Sequence, residues 1–239
     1  MRAAVIADVH GNIDALAAFE TWLDAQRGGI DEVWVLGDLV DYGPAPIEVI
    51  QWVAAHATWT VRGNHDHAMA TGEDCRSAPE FHAAAVATRN AWRSHLGSAD
   101  VAFLAGLPLR TAFPVGDARV ELVHATPMDP LFDYLPGGAT EAAWARALEP
   151  LDARTRFLFV GHTHVGFVRR VGAVTVVNPG SLGMPKDGDP CSAFAVFDGE
   201  HIESCRVAYD VDRAIGRLRA LRLPSACMVQ LDHAFRRGR

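Results

Sequence analysis

Residues 3–25 read AAVIADVHGNIDALAAFETWLDA: an apolar run, a short polar break, then apolar residues at helical spacing. Ala3 to Ala7 is a predicted strand, and Ile13 to Ala25 a predicted helix whose apolar members include Ile13, Leu16, Ala17, Phe19 and Leu23. A second β-rich run, Glu32 to Leu36, follows the helix, and strand, helix, strand implies a parallel pair. Pro46 to Ala55 predicts a second helix and Thr58 to Val61 a third strand, so the first quarter of the chain reads as a βαβαβ unit. Such sheets place their functional loops just beyond the strand C-termini, which is where the break Asp8-Val9-His10-Gly11-Asn12 falls.

Beyond His67 the strand rhythm stops, and the alanine-rich stretch Pro79 to Leu96 reads as a helix packed through Phe81 and Trp92. Residues 67–107 are therefore expected to form a helical, cap-like insertion. Strand signals resume at Leu109 to Phe113 and Val120 to Val123. After a helix near Thr140 to Leu148 they continue at Phe157 to Val160, Gly166 to Val171, Ala173 to Val177, Ala193 to Phe197 and His201 to Ala208. The short links Val171-Gly172-Ala173 and Asp198-Gly199-Glu200 mark hairpins, so the second half is expected to be more antiparallel. A last helix from Val211 to Leu223 closes a domain of residues 1–223, and residues 224–239 are expected to be a poorly ordered, basic tail.

With 239 residues, nearly half of them apolar, the chain can bury a full core in one domain with a local insertion. Its 29 acidic against 22 basic residues, net charge -7, disfavour a broad basic surface that would track a nucleic-acid backbone. Asp8 and His10 interrupt the N-terminal apolar run too early for a secretory leader, and no run suits a membrane span. A soluble, cytoplasmic protein is expected. The cysteines Cys75, Cys191, Cys205 and Cys227 form no Cys-x-x-Cys pair and are expected to be reduced thiols, with Cys191 and Cys205, which flank a hairpin, the one pairing left open.

Five clusters mix Asp, Asn or His with Gly or follow an apolar run directly: Asp8-Val9-His10-Gly11-Asn12, Gly37-Asp38-Leu39-Val40-Asp41, Gly63-Asn64-His65-Asp66, Leu122-Val123-His124 and Gly161-His162-Thr163-His164. Any one of them is explained by ordinary loop chemistry, because Asx side chains commonly bond their own backbone. All five at strand ends, four of them with histidine, are not. Imidazole and carboxylate without thiolate suit Mn, Fe, Co, Ni or Zn in a catalytic rather than a closed structural site.

In order, these clusters resemble the calcineurin-like metallophosphoesterase superfamily, whose pattern runs Asp-x-His, Gly-Asp-x-x-Asp, Gly-Asn-His-Asp or Glu, a lone His, and Gly-His-x-His. The match spans Asp8 to His164 with no element missing. The resemblance implies an α/β fold, a four-layer αββα sandwich with two mixed central sheets, and two divalent transition-metal ions. Asp8, His10, Asp38 and His164 would hold one ion; Asp38, Asn64, His124 and His162 would hold the other. A shared carboxylate offsets the repulsion between cations roughly 3.5–4 Å apart. A metal-bridging hydroxide would attack the phosphorus in line, and His65, oriented by Asp41 with Asp66 as the second candidate, would serve the leaving group.

Two residues are candidates for substrate contact. Asn12 is equally suited to a phosphate oxygen or to capping the helix that starts at Ile13. Arg62 matches one of two arginines of related phosphatases; the other, which phosphoprotein phosphatases and diadenosine tetraphosphatases of this superfamily usually carry after the second Asp of Gly-Asp-x-x-Asp, is replaced here by Tyr42. A dianionic monoester gains more from paired guanidinium forks than a diester does, so a phosphodiester or small nucleotide is the expected substrate. A phosphomonoesterase or protein phosphatase is the alternative within the class. A non-catalytic metal-binding interaction protein and a nuclease are the alternatives outside it. Asn178-Pro179-Gly180-Ser181 resembles a loop near the site in bacterial phosphodiesterase-like members, though a Pro-Gly turn explains it equally. Oligomeric state is not legible.

Overall fold

The computed structural model describes residues 1–26 and 29–239. The elements are, in chain order, β1 (Ala3–Ile6), α1 (Ile13–Ala25), β2 (Glu32–Val35), α2 (Pro46–His56), β3 (Trp59–Thr60), α3 (Asn64–Thr71), α4 (Pro79–Arg93), α5 (Ser98–Gly106), β4 (Arg110–Val115) and β5 (Ala118–Val123). They continue with α6 (Glu141–Ala147), β6 (Thr155–Phe159), β7 (Phe167–Val171), β8 (Val174–Asn178), β9 (Ser192–Phe197), β10 (Ile202–Val207), α7 (Val211–Ala220) and α8 (Ser225–Arg237).

Two five-stranded sheets form, in the orders β10-β9-β1-β2-β3 and β4-β5-β6-β8-β7. In the first, β1, β2 and β3 run parallel as the βαβαβ reading requires, and β9 and β10 add to the β1 edge antiparallel. In the second, β5, β6 and β8 are parallel, while β4 and β7 join as antiparallel hairpin partners. Both sheets are thus mixed. The antiparallel expectation for the second half holds for its hairpins but not for the β5-β6-β8 centre.

Strand alternation decides what each face buries. Ala3, Val5, Ala7, Trp34, Leu36, Ala195 and Phe197 face inward from the first sheet and meet Phe113, Val120, Leu122, Phe159 and Val177 of the second. Trp34 anchors this layer, its ring centroid 5.0 Å from Phe113 and 5.4 Å from Phe159. The intervening residues Ala4, Ile6, Val33, Val35, Phe194 and Val196 face outward under α1 and α2, meeting Leu16, Phe19, Val49, Ile50 and Val53. On the far side, Trp144 of α6 covers Val123, Leu158, Val160 and Val176. The result is the four-layer αββα sandwich.

A fourth core corrects the expectation of a disordered tail. Residues 225–237 form α8, whose Cys227, Leu231, Ala234 and Phe235 are buried against Phe81, Ala84 and Ala85 of α4 and Ala214, Ile215 and Leu218 of α7. The apolar residues recur at i, i+4, i+7 and i+8, one helical face, and burying that face outweighs solvating the basic end. All four cysteines are free, Cys191 and Cys205 included. Among the described residues no helix is long and apolar enough to cross a membrane.

Candidate metal centre

The loops that leave β1 and β2 are stitched together before any side chain is considered. Asp8 N donates to Gly37 O (3.0 Å), His10 N to Asp38 O (2.9 Å) and Gly11 N to Leu39 O (2.7 Å). To turn this sharply, Asp8, His10, Asp38, Asp41, Tyr42, His162 and His164 all adopt left-handed backbone, with φ between 48° and 66°. This region disfavours side chains with a Cβ by about 1–2 kcal/mol per residue. Gly63 of the third cluster is fixed by proximity instead: a Cβ there would lie 2.1 Å from Asp38 Oδ1. Asp66 is the brace of this junction, accepting from Asp38 N, Leu39 N and Gly63 N at 2.8, 2.8 and 2.9 Å.

All seven ligand candidates converge. Asp8, His10, Asp38 and His164 form one group of donor atoms within 4.8 Å of one another, and Asp38, His124 and His162 form a second. Asn64 joins the second through Oδ1, 2.9 Å from His124 Nε2, while its Nδ2 donates to Cys75 O at 2.6 Å and so settles which end faces inward. Asp38 belongs to both groups. Its Oδ2 lies 3.7 Å from His10 Nε2 and 3.3 Å from His124 Nε2.

The tautomers test whether cations fit. His10 Nδ1 lies 2.9 Å from Val40 O, and His164 Nδ1 lies 2.6 Å from Met184 O. Carbonyls only accept, so both Nδ1 atoms carry the proton and both Nε2 atoms present bare lone pairs. Those two Nε2 atoms face each other at 3.0 Å. Burial forbids protonating either to relieve the repulsion, pushing His10 down to about 3 and His164 well below the ordinary histidine value. Asp8 Oδ2 is likewise buried with no partner. A divalent cation satisfies all of these groups at once, and backbone carbonyls holding the far nitrogen of each ring are the usual support for such ligands.

His65 stands outside both groups. Its Nδ1 lies 2.7 Å from Asp41 Oδ2, so the dyad expected from sequence is formed. Sequence reasoning missed Arg89 of α4, which donates to the same Asp41 oxygen, and Cys75, which meets His65. A signal for Arg89 existed: it falls on the stripe Phe81, Ala84, Ala85, Thr88 that α4 buries. Burial opposes charge on His65, but Tyr42, Asp38 and Asp41 outweigh it and raise its pKa well above the usual range.

Of the two readings of Asn12, the structure forms the cap. Its Oδ1 accepts from Ala15 N (3.1 Å), its Nδ2 donates to Gly183 O (2.8 Å), and the buried side chain is not among those lining the cavity over the metal seats. Arg62 is also not among the residues that line the cavity over the metal seats, and its Nε is buried without a partner. That cavity, about 300 Å³, is lined by Asp38, Asn64, His65, His162 and His164 on one side. Tyr42, residues 76–80, Phe132, Tyr134 and Lys186 complete it. A larger, shallower groove lies by Met1 and the hairpin turns at the opposite strand ends, away from every cluster. Asn178 and Ser181 brace the site from behind: Asn178 Nδ2 donates to Gly161 O (2.6 Å) and Ser181 Oγ to Asp8 O (2.7 Å).

A family model of the calcineurin-like phosphoesterase superfamily domain matches residues 1–201, and the chain belongs to that superfamily. It is similar to the crystal structure of a metallophosphoesterase from Sphaerobacter thermophilus, with 31% identity, TM-score 0.76, and 98% of this chain and 99% of that one covered. An uncharacterized protein of Methanocaldococcus jannaschii is 29% identical, covering 92% of this chain and 93% of the relative. A shorter stretch, 28% of this chain and 23% of the relative, is 40% identical to a symmetrical bis(5'-nucleosyl)-tetraphosphatase of Yersinia enterocolitica. The family is one of metal-dependent hydrolases acting on phosphate esters.

Proposed function

We propose that this chain hydrolyses a phosphodiester or small nucleotide, with two divalent transition-metal ions seated in the two donor groups. The observation that carries the proposal is the placement of Asp38, whose one carboxylate faces the imidazoles of both groups. Bound there, the cations would supply charge against the phosphoryl oxygens and lower the pKa of a water for in-line displacement.

The chain's own residues do the rest. Asp8, His10 and His164 hold one seat, Asn64, His124 and His162 the other, and Asp38 fixes their separation. His65, steadied by Asp41, delivers a proton to the departing oxygen from Nε2, the nitrogen that Asp41 leaves free. Segment 67–107 acts as a cap, since Arg76, Ser77, Pro79 and Glu80 close one wall of the cavity. Tyr42, buried between His10 and His65, occupies the position of the second arginine of phosphatases, and this supports the diester reading. The partial similarity to a nucleosyl tetraphosphatase supports a nucleotide. A cytoplasmic location and a small phosphorylated substrate, rather than nucleic acid, belong to the same reading.

The test is turnover of bis(p-nitrophenyl) phosphate against p-nitrophenyl phosphate by protein loaded with Mn, Zn, Co, Ni or Fe. The diester is expected to be preferred. A strong monoester preference shifts the reading to a phosphomonoesterase, and full metal occupancy without turnover of any ester overturns it.

A further inference from the structure

The cavity holds a cation for which the ligand and dyad assignments give no use. Lys186 follows the Asn178–Ser181 loop, and its backbone N donates to His164 O at 3.1 Å, which ties it to the wall of the metal seats. Its side chain is partly buried and lines the cavity together with Asp38, His65 and His162. The Nζ sits 4.5 Å over the Phe81 ring. Among the described residues no carboxylate comes within ion-pairing distance of it. Asp8, Asp38 and Glu80 act on it only through longer-range charge.

Ammonium groups partly withdrawn from water favour a nearby anion or hydrogen-bond acceptor, because desolvation opposes their charge. A ring face 4.5 Å away compensates only in part. The side chain is only partly buried, so solvent in the cavity supplies acceptors, and an anionic group that enters displaces that solvent. Arg76 differs: it is exposed at the rim with its guanidinium 4.2 Å over Phe132, so solvent and salt screen it.

Resting on the phosphoesterase reading, we infer that Lys186 is the substrate-binding cation of this site, contacting a non-bridging phosphoryl oxygen in place of the arginine that Tyr42 displaces. A lysine is a compact point charge where an arginine is a bidentate fork. It therefore serves a singly charged phosphodiester oxygen without requiring the second charge of a monoester. This makes Lys186 a substrate-binding residue compatible with a diester.

The test compares the parent with Lys186→Met, which keeps the stem over Phe81, and with Lys186→Arg, which keeps the charge. Metal content by mass spectrometry is expected to be equal in all three. Inorganic phosphate, titrated calorimetrically into the metal-loaded proteins, is expected to bind Lys186→Met roughly 10-fold more weakly, with Lys186→Arg recovering most of the loss. With bis(p-nitrophenyl) phosphate the loss is expected mainly in KM. Equal phosphate affinity in Lys186→Met, or loss of metal from it, overturns the inference. If the parent turns over no ester, the functional reading fails while phosphate binding still decides the role of the lysine. If the parent is active and Lys186→Met matches it in KM and phosphate affinity, only the lysine assignment fails.

Discussion

His10 and His164 point bare Nε2 atoms at each other across 3.0 Å, each ring pinned by a carbonyl at its other nitrogen. A pair of lone pairs at that distance is stable only around a cation, so metal should contribute directly to folding stability. Chelation is expected to lower the melting temperature, and Mn or Zn at 100 times its Kd should restore about 2.7 kcal/mol. A midpoint indifferent to chelator and metal would show that the pocket holds nothing.

Asp38→Asn should empty both seats, because one carboxylate faces both sets of imidazoles. Asp8→Asn should affect chiefly the seat it shares with His10 and His164. Metal analysis of dialysed protein distinguishes these outcomes, and a full complement of two ions in Asp38→Asn would sink the shared-ligand geometry.

For His65→Asn the expectation is the reverse. Metal content should be unchanged, since His65 Nδ1 is committed to Asp41. The value of kcat should fall by about 10²–10⁴, the usual contribution of a positioned acid. Loss of metal instead would make His65 part of the cage.

Loading should depend on pH with a definite sign. In the metal-free protein, burial alone would lower the His124 pKa, but Asp38 outweighs it and raises it to about 9. Asp8 rises to about 7 through burial and the nearby Asp38. At pH 7, therefore, protons occupy places the cations need, and binding must expel them. Apparent metal affinity is expected to climb from pH 6 towards pH 9. Calorimetry at pH 7 in buffers of different ionisation enthalpy should register proton release, and identical heats in all buffers would contradict it.

Phe235→Ala tests the C-terminal helix. The ring is buried between α4 and α7, so the substitution should cost about 3–5 kcal/mol, read from denaturant unfolding. An effect within 0.5 kcal/mol, the usual range for exposed positions, would mean that the segment is loosely attached.

How far the sequence could be read follows from the range of each interaction. The β1-α1-β2 unit was legible because its periodicity is local, and the five clusters were legible because their spacing is itself a short-range pattern. Arg89, 48 residues from the Asp41 it bonds, belongs to no motif. Lys186 also lies in no motif, and only the folded loops bring it to the cavity that His65 lines. The C-terminal helix was legible in principle, since Cys227, Leu231, Ala234 and Phe235 share one face. Its basic end, Arg236, Arg237 and Arg239, drew the reading towards solvent. The hairpin edges of the second sheet were marked by their glycine turns, whereas its parallel centre depends on pairings between distant segments.

Among the described residues nine non-glycine positions have left-handed backbone, and seven of them surround the metal seats. Exchanging His162 or His164 for glycine would relax its backbone while abolishing its donor atom. For His164 the exchange would also remove a buried ring and the contact it makes with Met184 O, so the strain is held in place by the same packing that aims the donor. Chemistry thus fixes dihedral angles that the backbone alone would not adopt.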